Sequence, residues 1–107
     1  ATLTQDAMAV SMAFDNCSSG NGYAMGMGVP FSSGDQFEGL FSGVAFVPTG
    51  TSYPSPNQWY HIVMLRDGGI TKFYFNGVQT PNTYTTTPST PTGFRIGGQN
   101  GCRFWNG

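Results

Sequence analysis

The sequence predicts an all-β domain whose antiparallel strands pack as a sandwich. Sixteen Gly, seven Pro and many Thr and Ser residues suit tight turns, and nine Phe, five Tyr and two Trp supply large rings for a core. Short apolar runs recur between turn signals, without helical periodicity. A chain of 107 residues suits one modest core, so residues 1–107 are predicted to form a single domain.

The first half of the chain predicts three or four strands. Residues 7–14 are apolar and small, and a polar turn region follows them. Residues 23–29 alternate large with small side chains, which is typical of a strand against which another layer packs closely. Residues 37–47 are predicted to form two short strands, or one strand that bends at Gly43.

The second half contains the clearest hairpin signals. Residues 59–66 and 70–75 are predicted to pair across Asp67-Gly68-Gly69, and Asn76-Gly77 closes the second strand. Trp59 is predicted to anchor the core and His61 to be a structural, hydrogen-bonded histidine.

Proline-rich and threonine-rich segments flank these hairpins. Residues 48–57 are predicted to be a stiff exposed loop, and residues 82–92 a long surface loop or an edge segment. Two last short strands are expected at 94–97 and 102–105.

The low charge of the chain excludes several kinds of partner. Only 8% of the residues are charged and the formal net charge is −1, so we expect neither nucleic acid nor an anionic membrane surface as a partner. No apolar run of about 18 residues could span a bilayer. A polar but uncharged surface favours an extracellular, cell-surface or virion or particle-surface location.

Cys17 and Cys102 permit one disulfide that would enclose most of the chain. Two free thiols are the alternative, and the compartment decides between them, because the bridge is favoured outside the cell.

Five motifs follow one another in the second half with a recognisable order and spacing. They are Asn57-Gln58-Trp59-Tyr60-His61-Ile62-Val63, Asp67-Gly68-Gly69, Phe73-Tyr74-Phe75-Asn76-Gly77, Phe94-Arg95-Ile96-Gly97-Gly98 and Arg103-Phe104-Trp105-Asn106-Gly107. This series resembles the concanavalin A-like lectin/glucanase superfamily, and within it the laminin G-like domains, over about half of the chain. The first half matches only loosely, at residues 9–14 and 22–28.

The resemblance implies a jelly-roll β-sandwich. The usual first and last strands of the family have no counterpart in this sequence, so three alternatives stay open: a fragment of a longer protein, a trimmed minimal sandwich, or a sandwich completed by another chain. An incomplete sheet exposes unpaired backbone groups, which invite a strand from a neighbouring chain.

The acidic residues do not indicate an enzyme. Glycoside hydrolysis requires two carboxylates roughly 5–10 Å apart, and the glucanase relatives carry them in a closely spaced E-x-D-x-x-E or similar motif. The acidic residues of this chain are scattered: Asp6, Asp15, Asp35, Glu38 and Asp67. We therefore expect no catalytic residues.

Aromatic rings beside amide side chains supply what sugar recognition requires, an apolar face and paired hydrogen bonds. The candidate ligand-binding residues are Tyr53, Asn57, Asn82, Tyr84 and Trp105. The alternative is that these rings cover apolar surface or await a missing strand.

Relatives of this kind often bind Ca²⁺ through loop Asp and Asn residues. Asp15, Asn16 and Asp35 are the weak candidates here, but one acidic residue per loop is too few for a firm site, so no cofactor is expected.

These observations favour a non-catalytic carbohydrate-binding or adhesion module whose partner is a glycan or a glycoprotein. The alternative is a structural subunit without a ligand. Such a subunit would assemble through open strand edges into an oligomer, fibre or shell, with a second copy or a strand-donating chain as its partner.

Overall fold

The computed structural model describes residues 7–15, 20–27, 36–42, 45–52, 55, 57–87, 90 and 93–98. Every regular element in these ranges is a strand, which confirms the all-β class. The strands are β1 (Ala7–Asp15), β2 (Gly20–Met27), β3 (Gln36–Ser42), β4 (Ala45–Ser52), β5 (Ile62–Asp67), β6 (Ile70–Phe75), β7 (Val78–Tyr84) and β8 (Arg95–Ile96).

The strands form two antiparallel sheets. The larger has the order β4-β3-β2-β1-β8 and the smaller the order β5-β6-β7. Phe73 of the smaller sheet packs against Phe41 and Val47 of the larger one, so the two sheets share a core. The structure is thus the antiparallel β-sandwich that the sequence predicts, and it is consistent with a jelly roll.

Both predicted hairpins are confirmed. The β5–β6 turn has positive φ at Gly68 (53°) and Gly69 (83°), and the β6–β7 turn has positive φ at Asn76 (50°) and Gly77 (83°). Positive φ at both central residues suits the right-handed twist of the flanking strands. Of the segment predicted to form two strands or one bent strand, residues 37–42 belong to β3 and residues 45–47 to β4, while residues 43 and 44 lie outside the described residues.

One loop prediction is wrong in part, because residues 48–52, predicted to be loop, continue β4. Residues 82–84 complete β7 at the edge of the smaller sheet, which agrees with the edge-segment alternative predicted for residues 82–92. Proline fits in both strands because β4 and β7 lie at sheet edges. The short strand predicted at 94–97 is present as β8, and the one predicted at 102–105 lies outside the described residues.

The core between the sheets is aromatic. Phe41 and Phe73 are fully buried, and Tyr84 meets both of them edge to face at centroid distances of 6.1 and 6.3 Å. Tyr23 packs edge to face on Phe41 at 5.9 Å. Such edge-to-face pairs stabilise the fold by more than the burial of their apolar surface alone.

Both edge strands that meet on one side of the sandwich are bulged. Gln36 pairs with Ser52 and Glu38 with Pro48, so β4 takes four residue steps against two on β3. β7 likewise takes four steps, from Gln79 to Thr83, against two on β6. A bulge interrupts the regular ladder and leaves backbone groups to be satisfied by other donors.

A threonine hydroxyl supplies the missing donor at each bulge. The buried Thr49 donates to the carbonyl of Phe37 at 2.7 Å, and the buried Thr80 donates to the carbonyl of Phe73 at 3.3 Å. The buried carbonyls on the inner strands therefore keep hydrogen-bond partners although the ladder is interrupted.

The two bulged edges are joined through the carbonyl of Pro48. The Asn82 amide donates to it at 3.0 Å and the Tyr84 hydroxyl at 2.7 Å. Gly50 permits close approach here, because a Cβ at this position would lie 3.3 Å from Pro81. These contacts close the sandwich along β4 and β7.

The environment of Tyr84 also changes its acidity. Burial raises the pKa of the Tyr84 phenol above its ordinary value of 10.0, the Asn82 side chain lowers it, and the charge of Glu38 raises it, with a net increase. The neutral phenol that donates to Pro48 is thus the favoured form.

The sheets enclose a cleft between β1 and β2 on one side and β5 and β6 on the other. This β1–β5 cleft has a volume of about 320 Å³. It lies between the two sheets, and the described residues that line it are Val10, Met12, Tyr23, Ala24, Met25, Met64, Arg66 and Thr71.

We predict that Gly39→Ala destabilises the fold by about 1–3 kcal/mol through overpacking. A Cβ at this position would lie 2.5 Å from Cζ and 2.6 Å from Cε1 of the buried Phe73 ring. The free energy of unfolding is measured by urea denaturation. The matched comparison is the same substitution in a Phe73→Leu background, where the ring tip is absent and the added cost should fall markedly. An equal cost in both backgrounds would contradict the steric explanation.

We predict that Tyr84→Phe lowers the stability by about 1 kcal/mol at pH 7, because one donor to Pro48 is lost. Since the folded pKa of Tyr84 is raised, its contribution is fully present below the unfolded pKa of about 10 and is lost as the pH rises through the folded pKa. The stability difference between wild type and Tyr84→Phe should therefore shrink in urea titrations above pH 10.

Tyr74→Phe is the control, because it also removes a tyrosine hydroxyl. Tyr74 lies on the opposite face of β6 from the buried Phe73. A stability difference between wild type and Tyr84→Phe that stays constant across the same pH range would contradict the proposed titration.

Candidate functional site

The segment that leads into β5 has a fixed backbone. The Tyr60 ring stacks on Phe75 with a centroid distance of 5.1 Å. Its hydroxyl lies 3.0 Å from both the Ser55 carbonyl and the Gln58 side-chain oxygen. Tyr60 thereby ties the preceding residues to the end of β6.

A second tie joins this segment to the β6–β7 turn. The His61 N–H donates to the Asn76 side-chain oxygen at 2.9 Å, and the Asn76 N–H donates to the His61 carbonyl at 2.8 Å. This reciprocal pair fixes the backbone next to Tyr60. These hydrogen bonds involve only the His61 backbone, and its side chain is exposed, so the predicted structural role of the imidazole stays a prediction.

Trp59 lies directly before these two anchored residues and is 100% exposed. The prediction that it anchors the core is wrong. The regular strand begins only at Ile62, so Trp59 precedes the alternation that would carry a side chain into the core. Tyr60 takes the packing position, on Phe75.

The exposed side chains Asn57, Gln58, Trp59 and His61 form what we call the Trp59 surface. Asn57 adopts a positive φ of 64°, a conformation that Asn tolerates better than most residues. The surface combines one large apolar ring with amide and imidazole groups that donate and accept hydrogen bonds, and none of the four residues is acidic or carries a fixed positive charge.

The structure separates the predicted ligand-binding residues. Asn57 belongs to the Trp59 surface, whereas Asn82 and Tyr84 are brought together on β7, where both donate to Pro48. The Tyr84 ring packs in the core. Tyr53 and Trp105 lie outside the described residues. The ligand roles of all five residues stay predictions.

Trp59 is a candidate binding residue that the sequence instead predicts to lie in the core. The signal was its position directly after Asn57 and Gln58, at the end of a proline-rich segment and ahead of the regular strand. Two exposed amides beside an aromatic ring are the same combination that predicts sugar recognition at the other candidate residues.

The metal and disulfide candidates remain untested. Asp15 ends β1, and Asn16, Asp35, Cys17 and Cys102 lie outside the described residues. Within the described ranges, no group of three or more His, Cys, Asp and Glu residues could hold a metal ion.

Two carboxylate side chains can be placed. Glu38 is fully buried, and Asp67 is exposed at the β5–β6 turn. Neither residue lines the β1–β5 cleft. In the part of the chain that the structure describes, these two carboxylates thus do not face each other across this cleft, as glycoside hydrolysis there would require. The same part contains no helix with the length and apolar character needed to cross a membrane.

Comparison with known proteins gives one match. No curated protein and no solved structure matches the chain. A laminin G model described as concanavalin A-like lectin/glucanases superfamily matches residues 2–107. The match includes the first half of the chain, where the motifs gave only a loose resemblance. Because it spans nearly the whole sequence, the chain belongs to the concanavalin A-like lectin/glucanases superfamily, as a laminin G-like domain.

Proposed function

We propose that this chain is a non-catalytic carbohydrate-binding or adhesion module, and that the Trp59 surface is its binding site. The observation that carries the proposal is the full exposure of Trp59 on a backbone fixed by its neighbours. A large ring held in water lacks a packing role, and a flat indole can stack on the C–H face of a sugar.

The polar part of the surface suits a neutral sugar. Asn57, Gln58 and His61 are exposed and offer both donors and acceptors, as sugar hydroxyls require. No acidic residue and no lysine or arginine belongs to this surface, so we expect uncharged glycans to be preferred over sulfated or sialylated ones.

Family membership supports this function at a general level, since it suggests carbohydrate binding or adhesion. The fixed backbone adds a physical reason. Because the segment is already ordered by Tyr60 and His61, binding would cost little additional conformational entropy. A glycan or glycoprotein outside the cell or on a particle surface is the proposed partner.

A second candidate function is that of a structural subunit, and the exposed apolar residues beside β8 favour it. Phe94 lies next to β8, a strand of only two residues, and is 62% exposed. Ile96 belongs to β8 and is 78% exposed. Apolar side chains at a sheet edge suit burial against another chain. This function requires assembly in solution and no glycan.

We predict that Trp59→Ala abolishes or weakens glycan binding at least ten-fold, the equivalent of about 1.4 kcal/mol, with the thermal midpoint unchanged. The ring makes no buried contact to lose, since it is fully exposed. A glycan array on the wild type identifies the sugar, and isothermal titration calorimetry measures the variants. Trp59→Phe should keep part of the affinity, because a smaller ring still stacks.

Phe94→Ala is the matched control, as it truncates an exposed ring elsewhere and should leave glycan binding intact. Light scattering over a dilution series distinguishes the glycan-binding module from the structural subunit. A concentration-independent assembly that binds no glycan and dissociates in Phe94→Ala would replace the lectin proposal by the structural subunit.

A further inference from the structure

We infer that the β1–β5 cleft is a second binding site, for a small amphipathic carboxylate whose alkyl chain lies between the sheets and whose carboxylate meets Arg66. The Trp59 surface has no part in this site, so the inference goes beyond the proposed function. It rests on the size of the cleft, its lining and a guanidinium that forms no ion pair with a carboxylate of the described residues.

The size and shape of the cleft suit a short chain. Its volume of about 320 Å³ lies at the lower end of the roughly 300–1,000 Å³ of ligand pockets. If a water-sized group occupies about 30 Å³, this space holds on the order of ten such groups. Met12 is 43% exposed, so the cleft is accessible from solvent.

The lining of the cleft is predominantly apolar. Val10 and Met12 of β1, Met25 of β2 and Met64 of β5 contribute aliphatic or thioether side chains. Methionine side chains are flexible and polarisable, so they adapt to ligands of varied shape. These groups favour an alkyl chain over a sugar.

Among the described residues that line the cleft, Arg66 provides the one fixed charge. Its Nη1 donates to the Thr71 hydroxyl at 2.9 Å and to the Thr86 carbonyl at 2.8 Å, and its Nη2 donates to the Thr87 hydroxyl at 2.8 Å. These bonds hold the guanidinium in place. All three of these partners are neutral, so none of the described contacts compensates the positive charge.

A cation held in place by neutral partners has a direct chemical consequence. Arg66 is half-buried, and no carboxylate of the described residues forms an ion pair with it. A guanidinium has five N–H donors, so two remain beyond the three hydrogen bonds that Arg66 makes to described residues. A carboxylate accepts two parallel N–H bonds from such a group and neutralises it.

The test uses decanoate and its uncharged analogue decanol, titrated into the full chain at pH 7 by isothermal titration calorimetry below their aggregation concentrations. We expect decanoate to bind saturably to one site and decanol to bind at least ten-fold more weakly. No saturable decanoate binding, or equal affinity for both, would overturn the proposal.

Three variants locate the site. Arg66→Gln should weaken decanoate binding at least ten-fold, and Val10→Phe should do so by filling the cleft. Lys72→Gln removes one positive charge from the opposite face of β6, next to the inward-facing Thr71, and should leave the affinity unchanged. If Lys72→Gln lost as much decanoate affinity as Arg66→Gln, the effect would come from net charge alone. That result would overturn the proposed site.

Arg66 also orders Thr86 and Thr87, so Arg66→Gln could unfold the chain. Val10→Phe keeps the test decisive in that case, since it leaves Arg66 in place. Full decanoate affinity in a folded Val10→Phe variant would overturn the proposal. Glycan binding by wild type and Trp59→Ala, measured on the same samples, shows separately whether the Trp59 surface functions.

Discussion

The fold depends on the way in which β4 and β7 meet. The Pro48 carbonyl accepts hydrogen bonds from Asn82 and Tyr84, and this joins the outermost strand of one sheet to the outermost strand of the other. The Tyr84 ring then lies in the core against Phe41 and Phe73. One carbonyl group thus fixes the spacing of the sheets on this side and the position of an aromatic residue at the centre.

Much of the fold could be predicted because its signals are local. The Asp67-Gly68-Gly69 and Asn76-Gly77 turns specify positive φ by residue type alone, so their hairpins follow from the sequence. The continuation of β4 through Pro48 could not be predicted in the same way. Proline is acceptable in a strand only at an edge or a bulge, and which strand is an edge depends on the arrangement of the whole sheet.

The candidate site was harder to predict than the fold, for a related reason. Trp59 begins an apolar run, and large aromatic residues in such runs are usually buried. Its exposure follows from two contacts that join distant parts of the chain, the stacking of Tyr60 on Phe75 and the hydrogen bonds between His61 and Asn76. Asn57 could be predicted as a candidate because its amide chemistry does not depend on this arrangement. Tyr84 is a predicted candidate whose ring instead packs in the core.

The paired bulges affect how readily the edge strands β4 and β7 of this weakly charged protein can pair with a foreign strand. Sheet proteins commonly protect their edges with charged side chains, especially lysine, which repel an incoming strand. This chain has only 8% charged residues. At β4 and β7 it uses geometry instead, because the bulges, the prolines and the hydroxyls of Thr49 and Thr80 interrupt the regular row of backbone groups that a foreign strand would need. Resistance to amyloid-like pairing along these two edges should therefore be insensitive to salt, which screens charge repulsion but leaves backbone shape unchanged.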